Sequence, residues 1–257
     1  MDDLFSLKGK NALVVGGAGG LGHGIAEGLA RYGAQVAIAS LNPAKLERAA
    51  QELEASTGRK VRTYRVDCTE ESSVEELVAS SVSDLGRVDV LVNAVGYNSK
   101  APAIEFPMEE WDRLFAVNVR GVMMCCKHFA AHMVESGGGK IINVSSIRGA
   151  RAGLGGNSAY CASKGAVDMM TRQFAVELAS QNVQVNAIAP IITVTPMTEE
   201  TIKKEAARYE RVLLNIPMGR MCTIADIVGP AVFLASPASD FVTGTILYPD
   251  GGMMAFV

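Results

Sequence analysis

Apolar positions recur along this chain in two alternating rhythms. Residues 11–15 (Asn11-Ala12-Leu13-Val14-Val15) form a short apolar run closed by glycines, and 21–32 carries apolar residues at helical spacing, which predicts a strand, a tight loop and a helix. Residues 35–39 repeat the strand pattern, and Asn42-Pro43 opens a helix with proline near its first turn. The same rhythm predicts strands over 61–66, 88–93, 140–144, 183–189 and 245–248. Helices are expected over 70–85, 108–134, 159–179 and 224–234, with a helix-biased stretch at 199–213. Strand and helix alternating without hairpin signals imply right-handed crossovers. The fold class is therefore α/β, a single doubly wound domain over 1–257 with a parallel sheet of about seven strands covered on both faces. Residues 191–214 are the segment expected to move over a substrate.

Composition narrows the partners. The chain has 257 residues, 49% of them hydrophobic, and a formal charge of −3 with no lysine/arginine block, which argues against nucleic acid or an anionic membrane and for a small molecule. Acids stand at the N-terminus without a long apolar core, so no secretory signal is expected, and no window reaches the ~18 apolar residues of a membrane span. Cys68, Cys125, Cys126, Cys161 and Cys222 are scattered and odd in number, reading as reduced thiols in a cytoplasmic protein. His128 and His132 are four apart but lack the intervening glutamate of a zinc-protease helix, so they read as helix surface and no metal is expected.

Two stretches carry chemistry. Gly16-Gly17-Ala18-Gly19-Gly20-Leu21-Gly22 lies between the first strand and first helix, where backbone amides and the positive helix end favour a phosphate and a side chain would block its approach. Two glycine templates fit: Gly17, Gly19 and Gly22, or Gly16, Gly20 and Gly22. Further on, Tyr160 and Lys164 stand four apart at the start of a helix, hence on one face, and an ammonium beside a phenol lowers its pKa toward usefulness in proton transfer.

Gly16-xxx-Gly20-x-Gly22, Asn118, Ser146 and Tyr160-xxx-Lys164 fall in the order seen in the short-chain dehydrogenase/reductases, which the chain resembles over its whole length. Asp2-Asp3-Leu4-Phe5-Ser6-Leu7, Glu105-Phe106-Pro107, His132-Met133-Val134-Glu135 and Ala238-Ser239-Asp240-Phe241-Val242 resemble the gluconate 5-dehydrogenase branch. The resemblance implies a Rossmann fold and a nicotinamide-dependent interconversion of a secondary alcohol and a ketone. In that reading Tyr160 is the general acid/base, Lys164 tunes it and bonds the nicotinamide ribose, Ser146 rather than its neighbour Ser145 holds the substrate oxygen, and Asn118 interrupts its helix and holds a relay water. The implied cofactor contacts are Gly16, Gly20, Leu21, Gly22, Ser40, Leu41, Asp67, Cys68, Asn93, Gly96, Tyr160, Lys164, Pro190 and Thr195. Ser40 and Leu41 stand where the family places its NAD-selective acid and its NADP-selective arginine. Neither residue is present, so NAD or NADP is expected with the balance toward NADP; Lys45 and Arg48 lie one to two helical turns on.

The chain departs from the family at Val15, Ala94-Val95 and Pro190-Ile191, the last placing a branched side chain near the nicotinamide pocket. Lys100, Arg148 and Arg151 are candidates to pair with a substrate carboxylate, which suits a sugar acid, and a sugar acid or polyol is the expected substrate. Tyr97-Asn98-Ser99-Lys100 differs from the two basic residues usual in the gluconate branch. A 3-oxoacyl thioester reductase and a catalytically silent nucleotide-binding regulator are the alternatives. The resemblance also implies a homotetramer packed through the helices at 108–134 and 159–179.

Overall fold

The central predicted apolar runs form strands whose alternate side chains are buried on opposite faces of one sheet, while the run at 62–65 forms a largely exposed edge strand. The computed structural model describes residues 3–153 and 155–255. Strands β1 (Asn11–Val15), β2 (Gln35–Ser40), β3 (Arg62–Arg65), β4 (Val90–Asn93), β5 (Gly139–Val144), β6 (Val183–Ile188) and the last sheet strand (Ile246–Leu247) are ordered β3-β2-β1-β4-β5-β6 and then that last strand, giving seven strands. All neighbours are parallel. In β1, Ala12 and Val14 point into one apolar cluster and Leu13 and Val15 into the other. The first cluster is closed by α1 (Gly20–Arg31), α2 (Pro43–Thr57) and a late helix, Ile224–Ala235. The second is closed by α3 (Glu71–Leu85), by Val122–Glu135 and by Ser158–Leu178.

Between α3 and β5 the expected continuous helix is divided. It consists of α4 (Met108–Phe115), a π-helical turn over Ala116–Gly121 and α5 (Val122–Glu135). The interruption contains Asn118, whose side chain is engaged elsewhere. After α6 (Ser158–Leu178) and β6, the segment at 191–214 holds more regular structure than its sequence pattern showed. It begins with β7 (Thr193–Val194), continues through α7 (Pro196–Lys204) and α8 (Ala206–Leu213), and β7 pairs in parallel with β8 (Cys222–Thr223). Two-residue strands are too short to leave a periodic signal. The late helix is α9 (Ile224–Ala235) and the last sheet strand is β9 (Ile246–Leu247). Helix α9 lies flush on α1, where a Cβ at Gly24 would collide with Ile224 and one at Gly28 would come within 2.5 Å of Val228. No described helix is long and apolar enough to cross a membrane.

Strand order reverses between β1 and β4. A doubly wound sheet opens a crevice at that point, beyond the strands' carboxyl ends.

Candidate active site

A cleft of about 1040 Å³ occupies this crevice and runs from the end of β2 to the end of β6. Of the residues named from sequence, Gly16, Gly20, Leu21, Ser40, Leu41, Asp67, Cys68, Gly96, Ser146, Tyr160, Lys164, Pro190 and Thr195 line it.

Its middle is built from glycine. Gly16 has φ +86°, and a Cβ there would lie 2.7 Å from the carbonyl of Ala94. Gly22 does not line the cleft; it is buried, and a Cβ on it would collide with the Gly16 carbonyl oxygen. The Gly16, Gly20, Gly22 template thus matches the contacts, with Gly22 packing the loop from behind. Helix α1 starts at Gly20 with no capping side chain and no acid in its first turn. Its leading amides therefore have neither an internal acceptor nor a repelling charge near them. That is the donor set a pyrophosphate requires, so the residues present fit a dinucleotide. The departures Val15 and Ala94 meet through their backbones: Ala94 N–H donates to the Val15 carbonyl at 2.8 Å, while the Val15 side chain is wholly buried.

At the end of the cleft beside β2, Ser40 and Leu41 stand with Lys45, Arg48, His23 and Glu52, of which His23 and Glu52 had no sequence motif to mark them. Glu52 draws Arg48 to 3.4 Å and His23 to 3.6 Å. Asp67 accepts from the Thr69 amide at 3.0 Å and hydroxyl at 2.7 Å, and these bonds hold its carboxyl below the ordinary value. Asn93 is not at the cleft: it is 1% exposed and its amide donates across the sheet to Asn143 Oδ1 at 2.9 Å. Its place at the strand end is as expected, but the side chain ties β4 to β5.

At the other end the proton-transfer candidates converge. Ser146 and Ser145 follow β5, where successive side chains diverge. Ser146 lines the cleft with the Tyr160 phenol and accepts the Arg148 amide at 3.2 Å. Ser145 instead reaches back to the Lys164 carbonyl at 3.4 Å, so the two neighbouring serines have different partners. Lys164 is 4% exposed, and its Nζ donates to the Val144 carbonyl at 2.8 Å and lies 5.8 Å from the Tyr160 ring centre. The expected lowering of the tyrosine by its lysine is not what this geometry gives. Burial pushes the Tyr160 phenol above its ordinary value, with the Ser146 hydrogen bond opposing, while burial takes the Lys164 ammonium down to about 8. The ammonium is turned toward Val144 rather than toward the phenol oxygen.

Asn118 also sits behind the cleft rather than in it. Its Oδ1 accepts the Tyr97 amide at 3.0 Å, and its Nδ2 donates to the Tyr97 carbonyl at 2.9 Å and to Ser163 Oγ at 3.2 Å. The side chain clamps the loop after β4 to α6. Gly96, with φ +150°, passes between Asn118 and Lys164, where a Cβ would sit 3.1 Å from the asparagine oxygen and 3.4 Å from the ammonium.

The substrate candidates divide. Lys100 and Arg148 line the cleft. Arg148 already donates to the Ala152 carbonyl at 2.9 Å. Arg151 does not line it: its guanidinium donates to the Met253 carbonyl at 2.5 Å, anchoring the C-terminal tail. That tail brings Met253 to the cleft wall beside Tyr209 and Val212 of α8, residues that no motif distinguishes. Ile191, expected near the pocket, lines the cleft while packing against the core, 6% exposed. The two histidines have separate partners, His128 bonding Glu71 at 2.9 Å and His132 accepting the Val88 amide at 3.4 Å.

Residues 16–254 match a family model described as enoyl-(acyl carrier protein) reductase. The 5-keto-D-gluconate 5-reductase of Escherichia coli (strain K12) is 40% identical over 100% of both chains. A 3-oxoacyl-(acyl-carrier-protein) reductase of Thermotoga maritima is 37% identical over 96% of this chain and 99% of that one. The crystal structure of a gluconate 5-dehydrogenase from Burkholderia cenocepacia J2315 in complex with NADP and tartrate aligns with a TM-score of 0.93 at 33% identity, covering 99% of each chain.

Proposed function

The chain belongs to the short-chain dehydrogenase/reductase family and is an NAD(P)-dependent oxidoreductase of that family; from this premise we propose that it reduces the keto group of a sugar acid, or oxidises the corresponding hydroxyl, with NADP as the preferred cofactor. The observation that carries the reading is the gathering of Ser146, Tyr160 and buried Lys164 in the cleft that Lys100 and Arg148 also line. Names of relatives, 5-keto-D-gluconate 5-reductase and gluconate 5-dehydrogenase, support the substrate class.

Residues Gly16 to Leu21 and the start of α1 would hold the pyrophosphate, Ser40 and Leu41 the adenosine ribose, Asp67 and Cys68 the adenine, and Lys164, Pro190 and Thr195 the nicotinamide half. When bound, the nicotinamide supplies or accepts the hydride. Ser146 holds the substrate oxygen as charge develops on it. Tyr160 gives that oxygen a proton in reduction and takes it back in oxidation. Because burial keeps the phenol above its ordinary value of 10.0, Tyr160 holds its proton at neutral pH and is poised as the acid. Reduction is thus favoured near neutrality, and oxidation speeds up as the pH rises. Asn118 fixes the loop that carries Tyr97 against α6 and so sets one wall. The lean to NADP is supported by the lack of a carboxylate at Ser40–Leu41 and by Lys45 and Arg48 at the same end, where Glu52 already faces Arg48 and His23.

A screen of sugar acids, polyols and oxoacyl thioesters with both cofactors, read by reduced-nicotinamide absorbance, tests this. The expected result is fastest turnover of a keto sugar acid with NADPH. Fastest turnover of an oxoacyl thioester would instead favour the rival reading, which the Thermotoga maritima relative supports. The proposal extends to a cytoplasmic homotetramer. Five free cysteines suit a reducing compartment, and Met123 on α5 with Met169 and Val176 on α6 leave an exposed apolar face, Val176 at 78% exposure. Light scattering should give four chains per particle, and Met169→Glu with Val176→Glu should give smaller species; a wild-type monomer would contradict the assembly.

A further inference from the structure

The segment after β9 is held by three sets of contacts. Its turn is closed by its own carboxylate: Asp250, 6% exposed, accepts the Gly252 amide at 2.9 Å and the Met254 amide at 2.6 Å. The turn is seated on residues 216–218, where the Met218 amide donates to the Gly251 carbonyl at 3.1 Å. Gly251 and Gly252 have φ of +64° and +91°, and a Cβ on Gly251 would lie 2.7 Å from Ile216. The third contact is Arg151, whose guanidinium donates to the Met253 carbonyl at 2.5 Å and joins this segment to the loop that follows β5. Met253 itself is 7% exposed; it packs in the apolar cluster that includes Ile191 and Ile216, against which Val212 also packs, and it lines the cleft with Val212 and Tyr209. A charge-assisted bond to a main-chain carbonyl fixes where the residue stands, whichever side chain that residue carries.

We propose that Arg151 is a positioning residue for substrate: by holding the Met253 carbonyl it sets the apolar wall of Met253, Val212 and Tyr209, and with it the width of the cleft that a substrate shares with Ser146 and Tyr160. The inference rests on the proposed function. A cation beyond β5 invites the simpler role of pairing with a substrate carboxylate, but the Arg151 guanidinium is spent on the main chain and the residue does not line the cleft. A wall that touches a substrate equally before and during reaction acts on KM and leaves kcat nearly unchanged.

Two variants of the full-length protein separate the anchor from the wall. Arg151→Met removes the donor and leaves Met253 in the sequence; Met253→Ala leaves the carbonyl that Arg151 holds and shortens the side chain in the cleft. Each should raise KM for 5-keto-D-gluconate by about tenfold, with kcat within about threefold and NADPH affinity unchanged. The double variant should be little worse than either alone, because both act through one wall. Arg151→Lys, which keeps one donor without the planar fork, should fall between, and it carries the test where Arg151→Met does not fold. Hydrogen exchange, which needs no turnover, should speed up over 250–255 in Arg151→Met and stay slow in Met253→Ala. Unchanged exchange in Arg151→Met overturns the proposal, as does KM at the wild-type value in both variants. So does a loss in Arg151→Met confined to substrates bearing a carboxylate, with Met253→Ala unaffected, since that is the signature of a direct ion pair. A wild type that turns over nothing in the substrate screen overturns the proposed function and the substrate wall with it, while exchange still judges the Arg151 anchor.

Discussion

At the scale of single residues, Lys164 shows what the site costs. Its ammonium is buried with the Val144 carbonyl as its recorded hydrogen-bond partner, and its ordinary pKa of 10.5 falls to about 8. Between those values the unfolded chain binds more protons than the folded one, so stability contributed by this group rises as the pH climbs from about 8 to 10.5 and is lowest below 8. A shift of this size corresponds to roughly 3 kcal/mol. Lys164→Met should abolish proton-transfer catalysis yet fold more stably at pH 7. Its net gain should be about 1–2 kcal/mol, because the Val144 carbonyl loses its donor. Denaturant unfolding at pH 7 and near pH 10.5 checks this: the gain should shrink at the higher pH, and a gain independent of pH would show that lysine burial is not its source. The pairing of Tyr160 with Lys164 was readable from a four-residue spacing because a helix fixes what shares its face. Where the ammonium points was not readable, since it depends on the Val144 carbonyl twenty residues upstream.

At the scale of elements, the loop between β1 and α1 works through close backbone contact. Gly22 presses on the Gly16 carbonyl, and Gly16 presses on Ala94 of the segment after β4, so the loop has no slack on either side. Gly22→Ala should therefore displace the loop at a cost of about 1–3 kcal/mol and weaken cofactor affinity by tenfold or more. Fluorescence titration with NADPH checks this, and unchanged affinity would mean that the loop relaxes freely. The glycine spacing was legible because nothing else can stand so close to backbone. The π-helical turn at Ala116–Gly121 was less so: apolar periodicity runs unbroken through 108–134, and the hint was Asn118, a poor helix former, together with the family resemblance. Its clamp on Tyr97 is a long-range contact that periodicity does not encode.

At the scale of the whole molecule, the alternation of strand and helix fixes the parallel sheet, and the reversal of strand order places one long cleft. The half of that cleft proposed for the cofactor is lined by loops directly following predicted strands, which the sequence pattern made visible. The lining of the half proposed for the substrate was not visible there. Met253 reaches it only because the tail folds back onto Arg151, and Tyr209 and Val212 come from a helix whose place over the cleft depends on β7 pairing with β8. Arg151, expected at the substrate, serves this tail instead. In the proposed mechanism Tyr160 is the group that moves the proton. Comparing Tyr160→Phe with wild type, using 5-keto-D-gluconate and NADPH across pH 6 to 10, addresses that role directly. The expected result is a fall in turnover of about 10²–10⁴-fold with NADPH affinity retained and the pH-dependent rise of the reverse reaction lost. Turnover within a few-fold of wild type, with the same pH dependence, would contradict it.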